Sequence, residues 1–146
     1  MRDALEARAL AGADWLELIV ALAEAGGCPV RLAAADAALL CAAGPDGASS
    51  LPGAEAFDSP RPPILHAADV ARAFAADAPV AVRTLDGLDM CGLAVRSGGR
   101  RVGVLLVGGP AARARSLLRA GSTAVAIVAV RRDAQEIGRA SCRERV

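Results

Sequence analysis

From Leu88 to Gly109 the chain reads LDMCGLAVRSGGRRVGVLLVGG, two apolar, β-branched runs that meet at Ser97-Gly98-Gly99-Arg100. A Gly-Gly pair can take the positive φ that both central positions of a tight hairpin turn require. The pattern predicts a hairpin of Asp89–Arg96 against Arg101–Val107. A lone hairpin is marginal in water, so this one must belong to a larger sheet with a cover.

The rest of the chain supplies both. Arg2–Leu10 is weakly helical and stops at Gly12. Asp14, with Glu17 three positions on, is an N-cap signature. Trp15, Leu18, Ile19 and Leu22 then recur at helical spacing and predict one buried face. Gly26-Gly27 ends this helix and Pro29 prevents its resumption. Pro29–Ala34 and Ala38–Ala43 read as strands around a turn at Ala35-Asp36-Ala37. Gly44–Pro63 holds five of the eight prolines (45, 52, 60, 62 and 63) and reads as a long surface loop. His66–Ala76 is helical, with Val70 and Phe74 one turn apart, and Pro79–Leu85 alternates as a half-buried strand before the Asp86-Gly87 turn. Gly108-Gly109-Pro110 closes the sheet. Ala111–Ala134 is a long helix with Leu117, Leu118, Ala124, Val125, Ile127 and Val128 inward, and Gly121 marks where it must approach a partner closely.

The order is α-β-β-loop-α-β-β-β-α, which predicts an α+β fold. We expect an antiparallel sheet of about five strands with the N- and C-terminal helices on one face. The other face is left to the Gly44–Pro63 loop and the short helix, an arrangement that makes a concave, mostly apolar small-molecule pocket.

Composition changes this picture in two places. All 17 basic residues are Arg, while Lys, Asn and Tyr are missing. The absent residues have AT-rich codons, so a GC-rich genome explains the bias without any nucleic-acid role. The last eleven residues, EIGRASCRERV, match the translation of a common short-read sequencing adapter. They are set aside as a non-native tail, 136–146, and the native chain is expected to differ beyond residue 135. Without the tail's three Arg and two Glu the remainder is formally neutral, which gives no electrostatic footprint for DNA.

Candidate chemistry is sparse. With Cys142 set aside in the tail, Cys28, Cys41 and Cys91 are odd in number and lack metal-type spacing, which fits free thiols in a reducing cytoplasm. They read as small core hydrophobes, with redox sensing as the alternative. His66 has no Cys or Asp partner for a metal or a triad and reads as a surface residue at a loop–helix junction, with ligand contact as the alternative. Arg83, on the polar side of a strand, reads as solvated or as an anchor for an anionic ligand. Arg131-Arg132 reads as the polar end of a helix. The glycine pairs lack the Gly-Lys-Ser/Thr of a phosphate loop and read as turns. His66, Arg83 and Cys91 are therefore the candidate ligand-binding residues; no catalytic residue, metal site or cofactor is expected. No apolar run approaches the roughly 20 residues of a membrane span.

A helix, then CPVRLAAADAALLCAAG, a variable loop, PVAVRTLDG, the hairpin, and a terminal helix ending VAVRRDA together resemble a GAF-like sensory domain. More narrowly, the chain is similar to those of PucR/CdaR-type bacterial transcription regulators. The likeness runs over residues 12–135, with 1–11 as a linker or helix end. It lies in element order and composition, and it departs at Ala35-Asp36-Ala37, where such domains usually carry a D-x-x-G turn. The resemblance implies a GAF/PAS-like fold and a cytoplasmic, non-enzymatic, homodimeric sensor of a small-molecule effector. It also implies that a helix-turn-helix lies beyond the adapter junction, so this part makes no direct nucleic-acid contact. A ligand-free structural or dimerisation module of GAF- or profilin-like fold is the second reading, and a small thiol enzyme the third.

Overall fold

The expected hairpin is the centre of the molecule. In the computed structural model, which describes residues 2–46, 49–50, 63–76, 78–109 and 111–144, β5 (Asp89–Ser97) turns into β6 (Arg100–Val107). Gly98 and Gly99 sit at φ +58° and +82°, the left-handed pair that the turn demands. β6 also pairs antiparallel with β1 (Val30–Ala34), which pairs with β2 (Leu39–Ala43), while β5 pairs with β4 (Val80–Arg83). A two-residue strand, β3 (Ser49–Ser50), adds to the outer edge of β2 within the stretch read as loop. The sheet thus has six strands in the order β3-β2-β1-β6-β5-β4, every pair antiparallel. Positions 47–48 and 51–62 of the expected loop lie outside the described residues.

Two layers cover the sheet. α1 (Arg2–Leu10), α2 (Trp15–Gly26) and α4 (Ala111–Glu144) share one core with Val30, Leu32, Cys41, Val95, Leu105 and Val107. α3 (Ala67–Ala75) covers the opposite face, where Val70 and Phe74 meet Val82, Met90, Val104 and Leu106. Both long helices lie on one face, as expected. α1 lies against α4 and sends Leu5 and Ala9 into the same core, so the 1–11 segment carries a helix packed on the rest. β6 is buried from both sides: Leu105 and Val107 enter one core, Val104 and Leu106 the other. Each such side chain contributes roughly 1.5–3 kcal/mol.

A bulge re-aims the end of the hairpin. Val95 opposes Gly103 while Arg96 opposes Arg101, so Val102 is the extra residue. Arg101 is thereby turned to the α3 face, where its guanidinium lies 4.9 Å from the centre of the Phe74 ring.

The local signals are explained in turn. The Asp14 carboxylate accepts the Glu17 N–H at 3.1 Å, and Gly27 closes α2 at φ +61°. Asp14→Ala should cost about 1 kcal/mol, read as a lower urea midpoint with an unchanged slope. The turn without glycine forms nonetheless: Ala37 takes φ +74°, and the Asp36 carboxylate accepts the Ala38 N–H at 3.1 Å. A Cβ on Gly121 would stand 2.6 Å from Leu22 Cδ1 and 3.0 Å from Leu105 Cδ2, so a larger residue there would force these leucine methyls to shift.

Two expectations are corrected. α4 does not stop at Ala134 but runs on to Glu144, through the segment set aside as non-native. Arg131 and Arg132 are therefore not the helix end. The Arg131 guanidinium donates to the carbonyls of Ala9 and Ala13 at 2.8 and 2.7 Å, satisfying the C-terminus of α1, and Arg132 lies 4.2 Å over the Trp15 ring. No described helix is long and apolar enough to cross a membrane.

Candidate functional site

Of the concavity expected beneath the Gly44–Pro63 loop and the short helix, the part under the short helix does not open. Directly under α3 the space is filled by Phe74, Met90, Val104 and Leu106. Beside it, on the same face, a groove of about 430 Å³ opens between β1, β2 and the Pro63–Ile64 segment, a volume typical of small-molecule sites at roughly 300–1,000 Å³. Its walls are Leu39, Ala42, Pro63, Ile64 and Leu85. Among the described residues its polar groups are Arg31 and Asp86.

Strand alternation puts Arg31 there. Val30 and Leu32 enter the helix-covered core, so Arg31 between them must project to the other face. Asp86 arrives from the turn after β4, which is tied down by its neighbours. The Leu85 N–H donates to the Ile64 carbonyl at 2.8 Å, and the Ile64 N–H to the Ala37 carbonyl at 2.9 Å. Pro63–Ile64 is thus held between the β1–β2 turn and the β4–β5 turn.

The Arg31–Asp86 contact is a two-pronged fork. Arg31 Nη1 donates to Asp86 Oδ1 at 3.1 Å and Nη2 to Oδ2 at 2.9 Å. Arg31 is 19 % exposed and Asp86 52 %. Thr84, the one buried polar residue among those described, donates its hydroxyl to Asp86 Oδ1 and accepts the Leu88 N–H at 3.0 Å.

These bonds, first that from Arg31 and then that from Thr84, hold the Asp86 carboxyl down at about 2 against its usual 3.8. A depressed carboxyl stabilises the fold fully above pH 3.8 and loses that contribution as pH falls through 2. Asp86 should therefore stay ionised until about pH 2 in an NMR titration of its carboxyl carbon, and Arg31→Gln should return it towards 3.8.

A second groove, about 490 Å³, follows the free edge of β4 and is where two of the three sequence candidates meet. Arg83 and the half-buried Cys91 both line it, with Asp69, Arg72 and Asp89. Arg83 pairs with Asp89 at 3.4 Å, but the side chains are 72 % and 84 % exposed, a geometry worth little in water. Arg72 is already engaged, bonding Asp69 at 3.1 Å and the Ala81 carbonyl at 2.6 Å, which covers an acceptor of the edge strand. His66 lines neither groove. It is exposed at the N-cap of α3, where its side chain makes no capping bond.

Cys28 and Cys41 are core groups. Burial pushes Cys28 up, and pushes Cys41 up to about 12, so both stay protonated and poorly nucleophilic at neutral pH. Among the described residues no cluster of three His, Cys, Asp or Glu side chains could hold a metal ion.

Arg31, Asp86 and Thr84 escaped the sequence reading. Arg31 and Asp86 are 55 positions apart, and no spacing rule joins them. The available signal was a charged residue between two core residues of a short strand. Comparison of the chain with known proteins finds no matching family model, no matching curated protein and no matching solved structure.

Proposed function

We propose that the chain is the sensory domain of a PucR/CdaR-type bacterial transcription regulator, binding a small effector in the Arg31–Asp86 groove. The observation that carries this reading is the division of the sheet's faces. The long helices occupy one face, and an apolar groove with a single fixed ion pair opens on the other. An effector there touches β1, whose opposite side packs against α2 and whose neighbour β6 packs against α4. In this reading the domain works as a cytoplasmic homodimer and leaves DNA contact to a helix-turn-helix beyond residue 135. It performs no catalysis.

The experiment is recovery of the native gene past codon 135. A helix-turn-helix encoded downstream is the expected result, and an open reading frame without one would overturn the regulator assignment. A ligand-free dimerisation module is the second reading, favoured by the filled space under α3. A calorimetric screen of metabolites separates the two, since the module binds none of them.

A further inference from the structure

We infer that Arg31 is the anchor for a carboxylate on the effector, and that Asp86 is an internal carboxylate the effector displaces. This rests on the small-molecule reading of the groove. Among the described residues, Arg31 is the one cation lining the groove, beside Asp86 and the apolar Leu39, Ala42, Pro63, Ile64 and Leu85. Its side chain is only 19 % exposed, and its guanidinium already presents two N–H groups in the fork that matches a carboxylate.

Asp86 fills that fork from an accessible position: a turn residue, 52 % exposed, followed by Gly87 at φ +89°. An intramolecular carboxylate competes at high effective concentration, so a bare anion gains little by replacing it. A carboxylate attached to an apolar body gains more. It makes the same fork and also buries its body against Leu39, Ile64 and Leu85, which Asp86 does not do. Leu85, 46 % exposed, is an apolar side chain available for such cover.

Displacement has a defined consequence. Asp86 swings out of a turn that stays closed by its own bonds, Leu88 N–H to the Thr84 hydroxyl and Thr84 N–H to the Leu88 carbonyl, and tied to the groove by the Leu85 N–H to Ile64 bond. The effector therefore exchanges an internal strap from β1 to the β4–β5 turn for one made through itself. Its class is a small monocarboxylate with an aromatic or aliphatic body.

The test is an amide-shift titration of the full 146-residue chain with benzoate, benzamide and acetate. In the native sequence benzoate should shift the amides of Arg31, Ile64 and Leu85–Leu88, and acetate should not. Asp86→Asn removes the competitor and should tighten benzoate binding by roughly ten-fold or more, whereas Arg31→Gln should weaken it by a similar factor. Asp86→Ser, with its fold checked in the same spectra, guards against an effect of Asn on the turn.

Benzoate affinity unchanged or weakened in both Asp86 variants would overturn the inference. Benzamide shifting the same amides as strongly as benzoate would overturn it too, while leaving a small-molecule groove intact. No groove shift with any probe in any variant would end both readings.

Discussion

Gly103→Ala should destabilise the fold by about 3 kcal/mol or more, the upper end of what overpacking costs. Gly103 is buried in the middle of β6, between Ala34 on β1 and Val95 on β5. A Cβ there would stand 2.0 Å from the Ala33 carbonyl oxygen and 3.1 Å from its carbon. Both are backbone atoms of the paired strand, so no rotamer change relieves the clash and β1 must separate from β6. For a chain of this length the loss corresponds to a fall in Tm of about 6–12 °C. Gly92→Ala is the control. Its Cβ would meet methyls of Leu106 and Val104, both at 3.1 Å, and of Val82 at 3.7 Å, all side-chain atoms that can yield. That variant should stay within about 1 kcal/mol of the native protein, and equal losses at both glycines would contradict the packing described.

Leu105→Ala and Leu106→Ala should each cost about 2–5 kcal/mol, yet loosen opposite sides of the molecule. Both side chains are fully buried and adjacent on β6. Leu105 belongs to the core under α2 and α4, and Leu106 to the core under α3. Hydrogen exchange should then accelerate in α2 and α4 for the first variant and in α3 for the second. Leu106 also stands opposite Arg31 across the β1–β6 pair, so its truncation should reach the groove amides as well. A single shared exchange pattern for the two variants would mean that the sheet does not separate two cores.

Much of this architecture was legible because its signals are local. The Gly98-Gly99 turn, the Asp14 cap and the Gly27 stop each depend on residues within a few positions, and each appears where the pattern places it. Gly121 was legible as a close approach, though not as an approach to Leu22 and Leu105. Non-local features were not. The Val102 bulge shifts Arg101 to the other face without any change in the apolar run, so alternation alone misplaces that side chain. Arg131 looked like a helix terminus because its neighbours are polar, whereas it binds carbonyls more than a hundred positions away.

The candidate site follows the same division. Cys91 and Arg83 stand out in the sequence by residue type and strand position, and strand pairing brings them to one groove. His66 was chosen for its chemistry alone, and the start of α3 leaves it in solvent. The pair with the most constrained geometry, Arg31 with Asp86, depends on a loop closing across the sheet, which no local rule encodes.

The groove's role can be read in one measurement: amide shifts of the chain against a broad library of small metabolites. Compounds that bind should shift Arg31, Leu39, Ile64 and the Leu85–Leu88 turn first, ahead of residues along β4. Shifts confined to the Arg83–Cys91 edge, or an unmoved spectrum across the whole library, would contradict a sensor built on the Arg31–Asp86 groove.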